Sequence, residues 1–256
     1  MIKLAKGTSL WGRDYLPAGI LVGLLFAAEF FLVAQALRFT SAAHTVVLLY
    51  TAPIFVALGL HWKLPSERLS LIQWLGIACA FFGIVIAFLF RPVASQAAAS
   101  SAIWGDALAL LAGVFWAATT IAVRLTKLAE APAPQTLFYQ LFIAFLVLLP
   151  VAFFMGQATI HWSVLSLTSL LFHTVVVSFA SYLIWFWLLK KYLASQLGVF
   201  SFLTPIFGMC FGVVLLNEQL ELNFLVGTCF VLMGVMVVSL HHKIKQYVQA
   251  FKMALQ

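Results

Sequence analysis

The chain has very little charge. Asp, Glu, Lys and Arg together make up 8% of its 256 residues, where a soluble domain carries about a quarter. With so few charges a folded chain of this length could not cover its surface in water, so the soluble classes are excluded. Cysteine is scarce as well. Cys79, Cys210 and Cys229 all fall inside apolar runs, with no CxxC spacing and no His beside them, which fits small buried hydrophobes rather than a metal or redox centre. The six His form no metal-ligand spacing, and neither an HExxH nor a phosphate-cradling GxxxxGK[ST] is present. No metal and no other cofactor is therefore expected, ATP is excluded as a direct energy source, and an enzyme is not expected. A cleavable leader is not expected either, because residues 1–16 carry Lys3, Lys6, Arg13 and Asp14 and lack an apolar core.

What the chain does have is apolar length. Hydrophobic residues make up 64% of it, and the mean hydropathy is +1.11. Inside a bilayer the backbone must satisfy its own hydrogen bonds, which leaves helices or a closed barrel. Barrel strands are about ten residues of strict alternation. The unbroken runs here are roughly the twenty residues that cross the hydrocarbon core as helix. The expected fold is all-α and polytopic, with eight transmembrane helices at 17–37, 41–61, 70–90, 105–125, 135–155, 166–189, 194–216 and 222–240. Turn and charge chemistry separates them, as at Pro65-Ser66-Glu67-Arg68, Arg91-Pro92, Pro132 and Pro134, Lys190-Lys191 and Asn217 to Glu221.

The net charge of +7 has a membrane explanation and does not call for nucleic acid as a partner. With a cytoplasmic N-terminus, all but Arg38 and Arg91 of the fourteen Lys and Arg fall on the inside. Basic loops stay on the cytoplasmic face, so both termini are expected inside a plasma (inner) membrane. The tail 241–256 puts Ile244, Tyr247, Val248, Phe251 and Leu255 on one helical face, with Lys243, Lys245 and Lys252 elsewhere. It is expected to lie on the cytoplasmic leaflet.

The chain also repeats itself. Ala42-Ala43, Pro53-Ile54-Phe55, Glu67, Leu69 and Leu71, then Gly76 and Gly83 recur in order as Ala194-Ser195, Pro205-Ile206-Phe207, Glu218, Leu220 and Leu222, then Gly227 and Gly234. The offset is 152 at the proline and 151 from the glutamate onward, as one loop deletion would leave it. The matching spans lie five apart, so the two copies run oppositely through the membrane. Residues 17–90 hold three spans and 105–240 hold five, joined by an external linker at 91–104. The expectation is thus of inverted repeats in a 3 + 5 arrangement instead of 5 + 5: spans 105–125 and 135–155 have no counterpart before residue 17, as if two N-terminal helices were absent.

The motifs Arg38-Phe-Thr-Ser-Ala-Ala, Tyr50-Thr-Ala-Pro-Ile-Phe, Glu67-Arg-Leu-Ser, Gln73-Trp-Leu-Gly, Leu203-Thr-Pro-Ile-Phe and Asn217-Glu218 resemble the drug/metabolite transporter superfamily in its EamA-like branch. The resemblance covers nearly all of residues 17–240. It implies two inverted five-helix units around a central cavity, and transport of a small organic solute, such as an amino acid or a drug-like metabolite, by alternating access. The expected partners are that solute and the lipid bilayer, and a homodimer is compatible with the chain. Two other readings remain open: a non-transporting subunit or remnant, on account of the two helices, and an intramembrane enzyme, for which no nucleophile–base spacing is found.

Several residues are candidates for chemistry. Glu29 is the one acidic residue well inside a span; it is either a proton carrier or a neutral carboxyl bonding a neighbouring helix. His44 and His173, in the outer part of their spans, could bind solute or relay protons, or simply pack. Asp106, Gly113, Trp116, Thr120 and Arg124 share one helix face, and Thr174, Ser178, Ser181, Tyr182 and Trp185 another. Such faces line cavities or glue helices together. Tyr50 lies one turn before Pro53 and is similarly placed, and Tyr139 and Gln140 are near the inner end of their span. Pro53 and Pro205 are expected to kink their helices at equivalent points, as gating elements or as a requirement of shape. Gly19 and Gly23, Gly76 and Gly83, Gly208 and Gly212, and Gly227 and Gly234 are read as packing positions. Glu67 and Glu218, at span borders, are expected to pair or cap rather than to catalyse.

Overall fold

The computed structural model describes residues 15–63, 69–89, 96–129, 131, 133–159, 161–181, 184 and 203–254. Among them every regular element is a helix. In order these are α1 (Leu16–Ala36), α2 (Ala42–Leu49), α3 (Ala52–Lys63), α4 (Leu71–Leu89), α5 (Gln96–Leu125), a 3₁₀ turn (Lys127–Ala129), α6 (Ala133–Phe154), α7 (Val164–Leu171) with a π-helical continuation (Phe172–Ser181), α8 (Leu203–Leu216) and α9 (Leu222–Ala254). Four stretches, Leu16–Ala36, Ala42–Lys63, Ser101–Leu125 and Pro134–Phe154, are long and apolar enough to cross a membrane, and four shorter apolar helices accompany them. The chain is a multi-pass helical membrane protein.

Local chemistry sets the boundaries. Pro17 sits at the start of α1, where the missing amide costs nothing. Ser41 caps α2 by accepting the His44 amide. Pro53 lacks the amide that Leu49 would need and crowds the preceding turn. The helix accordingly breaks at Tyr50–Thr51 into α2 and α3, where the Thr51 hydroxyl and amide both donate to the Leu48 carbonyl. Pro205 is fully buried in the first turn of α8, and the residues just before Leu203 are outside the described ones. Two helices are longer than the sequence pattern indicates. α5 starts at Gln96, because the Ala-rich stretch ahead of residue 105 favours helix. α9 runs without interruption from the last apolar run to Ala254, because no glycine or proline stands between Ser239 and Lys252 to end it.

Small residues organise the packing. In hydrocarbon, helices gain little from burying apolar surface against each other, so close backbone approach matters more. Gly19 lies under the Tyr139 ring and Gly23 under Ile143, which seats α1 on α6. α4 packs most extensively on α9. A Cβ on Gly76 would come within 3.0 Å of the Gly234 carbonyl oxygen, one on Gly83 within 2.5 Å of the Gly227 carbonyl oxygen, and one on Gly234 would run into the Gly76 carbonyl. Gly76 thus pairs with Gly234 and Gly83 with Gly227, so the two helices cross antiparallel. Around this crossing a core forms from Ala43, Val47, Leu48, Ile54, Ala80, Ala109, Phe224 and Val231. A second cluster of Val22, Leu128 and Tyr139 ties α1 to α5, α6 and the 3₁₀ turn.

Candidate functional site

Two groups of polar residues stand inside this bundle. The first gathers at the tight turn between α1 and α2. Asp106, 1% exposed, uses both carboxylate oxygens there: the Thr40 hydroxyl donates to Oδ1, and His44 Nδ1 lies 3.1 Å from Oδ2. Gly105 lets α5 approach the backbone of Phe39 and Thr40 closely enough for this. The His44 ring stacks on Phe224 of α9, with centroids 3.7 Å apart. Buried charged groups are retained where their polar atoms are met in this way.

On the same turn Glu218 reaches in from the α8–α9 connection. Its Oε1 accepts the Ala42 amide at 2.7 Å and its Oε2 the Ala43 amide at 3.1 Å. These are amides that a helix start leaves without an internal partner, and a carboxylate there also meets the positive end of the helix dipole. The reach depends on two local features. Asn217 takes a left-handed conformation (φ 54°) after α8, one that asparagine tolerates better than most residues. Gly212 leaves the space that the Glu218 carboxylate occupies.

The second group lies deeper. Glu29 is 6% exposed on α1, and its Oε2 has no hydrogen-bond partner. The Tyr50 hydroxyl lies near the side chain of Thr204 and within electrostatic reach of Glu29. The Tyr50 ring meets Trp116 edge to face at 5.1 Å. α1, the α2–α3 break, α5 and the start of α8 therefore all contribute to one polar and aromatic locus. The break that Pro53 imposes is what places Tyr50 between helices, and Gly113 lets α5 lie against the carbonyls of Leu48 and Leu49.

Of the residues singled out in the sequence, Glu29, Tyr50 and Trp116 come together. His44 and Asp106 come together elsewhere, at the α1–α2 turn. Thr120 turns its hydroxyl back to the Trp116 carbonyl. Tyr139 is wholly buried against Gly19. His173 is exposed, with Nδ1 3.3 Å from the Ser169 carbonyl. Gly208 packs on Val46. Glu67, Tyr182 and Trp185, and the side chain of Ser178, lie outside the described residues. Thr204 was not singled out; its place directly before Pro205 in a repeated motif was the available signal. Among the described residues no group of three or more His, Cys, Asp or Glu could hold a metal ion.

The structure defines a multi-pass helical membrane protein with a buried carboxyl and aromatic rings in its interior. Comparison with known proteins is specific. The EamA-like transporter family matches residues 2–89 and 103–240, and the chain belongs to that family. It is 24% identical to the uncharacterized transporter YoaV of Bacillus subtilis, over 87% of this chain and 75% of that protein. It is 26% identical to a protein of Salmonella typhimurium named a "probable amino-acid metabolite efflux pump", over 88% of this chain and 78% of that one. An uncharacterized transporter of Archaeoglobus fulgidus is 25% identical over 88% and 76%. No solved structure matches the chain.

Proposed function

We propose that this protein is a secondary transporter that moves a small organic metabolite, of amino-acid-like or drug-like kind, across the inner (plasma) membrane by alternating access. The solute path runs between α1, the α2–α3 break, α5 and α8. The eight spans form an inverted duplication with both termini cytoplasmic. In support of this, the glycine pairs obey one rule. Gly76 matches Gly227 and Gly83 matches Gly234 in sequence, yet in space each glycine meets the other one's counterpart. That exchange is what a two-fold axis in the membrane plane produces.

Glu29 is the observation that carries the proposal. Leaving a carboxyl oxygen buried and unpaired costs about 1–3 kcal/mol, and ionisable groups at this depth mark ion or solute pathways. Glu29 takes up and releases the proton that drives transport, while Tyr50, Trp116 and Thr204 supply hydroxyl and ring surface to the solute. Pro53 and Pro205 are the hinge points. The name of the Salmonella relative makes amino acids the first solutes to try. The test is flux of radiolabelled amino acids into proteoliposomes under an imposed proton gradient. Gradient-dependent accumulation supports the proposal, and a flux indifferent to the gradient removes proton coupling from it.

A further inference from the structure

One end of the bundle is fastened from several directions. It is the end at which α1 and α8 stop and α2 and α9 start, the outer end on the topology proposed above. α5 holds the turn through Asp106, which binds Thr40 and His44. α9 holds α2 through Phe224, stacked on the His44 ring. α8 lies along α2: Gly208 sits on Val46, and a Cβ on Gly212 would come within 3.4 Å of the Ala43 Cβ. Glu218 then closes over the start of α2, at the Ala42 and Ala43 amides.

These contacts differ in what it costs to part them. Asp106 and His44 are 1% and 4% exposed, so separating them would strand polar groups away from water. Glu218 is half-buried and stands between the exposed Asn217 and Gln219. Its carboxylate can exchange the two amides for water, and a hydrogen bond traded for water is worth little net. Beneath it, the seam of Gly208 and Gly212 on Val46 and Ala43 is one of small residues, which hydrocarbon does not press together as water would. Of the neighbours of α2 at this end, α8 is therefore the one that leaves at least cost.

We infer that Glu218 is the releasable contact of an outer gate. With its carboxylate on the Ala42 and Ala43 amides, α8 is held on α2 and the outer end of the solute path is shut. When the carboxylate lets go, α8 and the α8–α9 connection move off α2 and the path opens outward. Thr40, His44 and Asp106 stay together and form the fixed side against which the gate closes. Glu218 is a positioning residue and touches no solute. The inference rests on the alternating-access reading and goes beyond it in naming the contact that moves.

The test reads position rather than flux, in a background without Cys79, Cys210 and Cys229. Thr204→Cys, at an exposed residue beside the buried Pro205, reports access to the path when an impermeant thiol reagent is added to either face. Val46→Cys with Gly208→Cys, in a separate protein, reports the α2–α8 seam. A Cβ on Gly208 lies 3.2 Å from the Val46 Cβ, close to the span of about 3.5–4.5 Å that a disulfide bridges. Glu218→Ala should raise outer labelling of Thr204→Cys several-fold and slow oxidative crosslinking of the pair several-fold, with Glu218→Gln in between. Gly19→Ala, which crowds the Tyr139 ring where α1 meets α6, destabilises the bundle elsewhere and should move neither readout. No rise in outer labelling, or no change in crosslinking, overturns the inference. So do equal shifts from Gly19→Ala, since the cap would then be only structural. Labelling of the wild-type gate's Thr204→Cys from the inner face separates the two ideas: where it is present the gate alone has failed, and where it is absent the proposed path has failed with it.

Discussion

Glu218 Oε1 sits 2.7 Å from the amide nitrogen of Ala42, 176 positions earlier in the chain. A carboxylate from one half of the molecule thereby caps a helix that begins in the other. Losing a cap of this kind costs about 1 kcal/mol, with charged cases toward 2. Glu218→Ala should lower thermal stability in detergent by that order, and Glu218→Gln by less, since an amide keeps one acceptor. Gly212→Ala should act through the same contact, because its methyl group needs the carboxylate's space. Combined with Glu218→Ala it should therefore cost less than the sum of the two. Additive effects in melting experiments would show that the cap and the glycine are independent.

Asp106 binds both Thr40 and His44. Asp106→Ala takes this partner from the buried His44, at about 1–3 kcal/mol, and from the half-buried Thr40 at less. It should destabilise the protein more than Thr40→Val does, and a double-mutant cycle between Asp106→Ala and His44→Ala should give a clear coupling. A coupling near zero would mean that this pair contributes nothing to holding the turn.

The crossing of α4 and α9 leaves no room for side chains at Gly83. Gly83→Leu should abolish the monodisperse folded protein in size-exclusion chromatography. Leu at Leu225, which is exposed, is already tolerated, and Leu225→Ala should be close to neutral. Wild-type behaviour of Gly83→Leu would contradict the close approach. The same antiparallel crossing puts Ser70 and Leu220, each near the start of its helix, at opposite ends of the helix pair, which on the proposed topology are opposite faces of the membrane. An impermeant maleimide should label Ser70→Cys from the cytoplasmic side and Leu220→Cys from the outside, in a background without Cys79, Cys210 and Cys229.

Glu29 offers a stability test that does not need a solute. Replacing a buried, unsatisfied carboxyl by an apolar side chain of similar size removes a desolvation penalty. Glu29→Leu should melt at a higher temperature than the wild type while losing transport, the trade expected where function keeps a costly group in place. A lower melting temperature would mean that the carboxyl has a structural duty.

Much of this architecture can be read from the chain because it is periodic or local. Apolar runs of span length, the Pro53 break and the glycine spacing each leave a mark within a few residues. The paired glycines could be recognised as packing positions, yet only their location in space shows that Gly76 meets Gly234 rather than Gly227. The cap from Glu218, the Thr40–Asp106–His44 set and the approach of Tyr50 to Thr204 join residues from 62 to 176 positions apart, and no spacing rule encodes such pairs. His44 illustrates the limit. From the sequence it could bind solute, relay protons or simply pack; in the fold Phe224 covers its ring and Asp106 Oδ2 lies 3.1 Å from its Nδ1, which no spacing could tell.

The most direct test is proton-driven flux in proteoliposomes, comparing the wild type with Glu29→Gln, which keeps the shape of the side chain and removes its titration. The expected result is gradient-driven accumulation of an amino-acid-like solute by the wild type, with Glu29→Gln folded but unresponsive to the gradient. Equal gradient-driven accumulation by both proteins would contradict the assignment of Glu29 as the proton carrier and, with it, the proposed path.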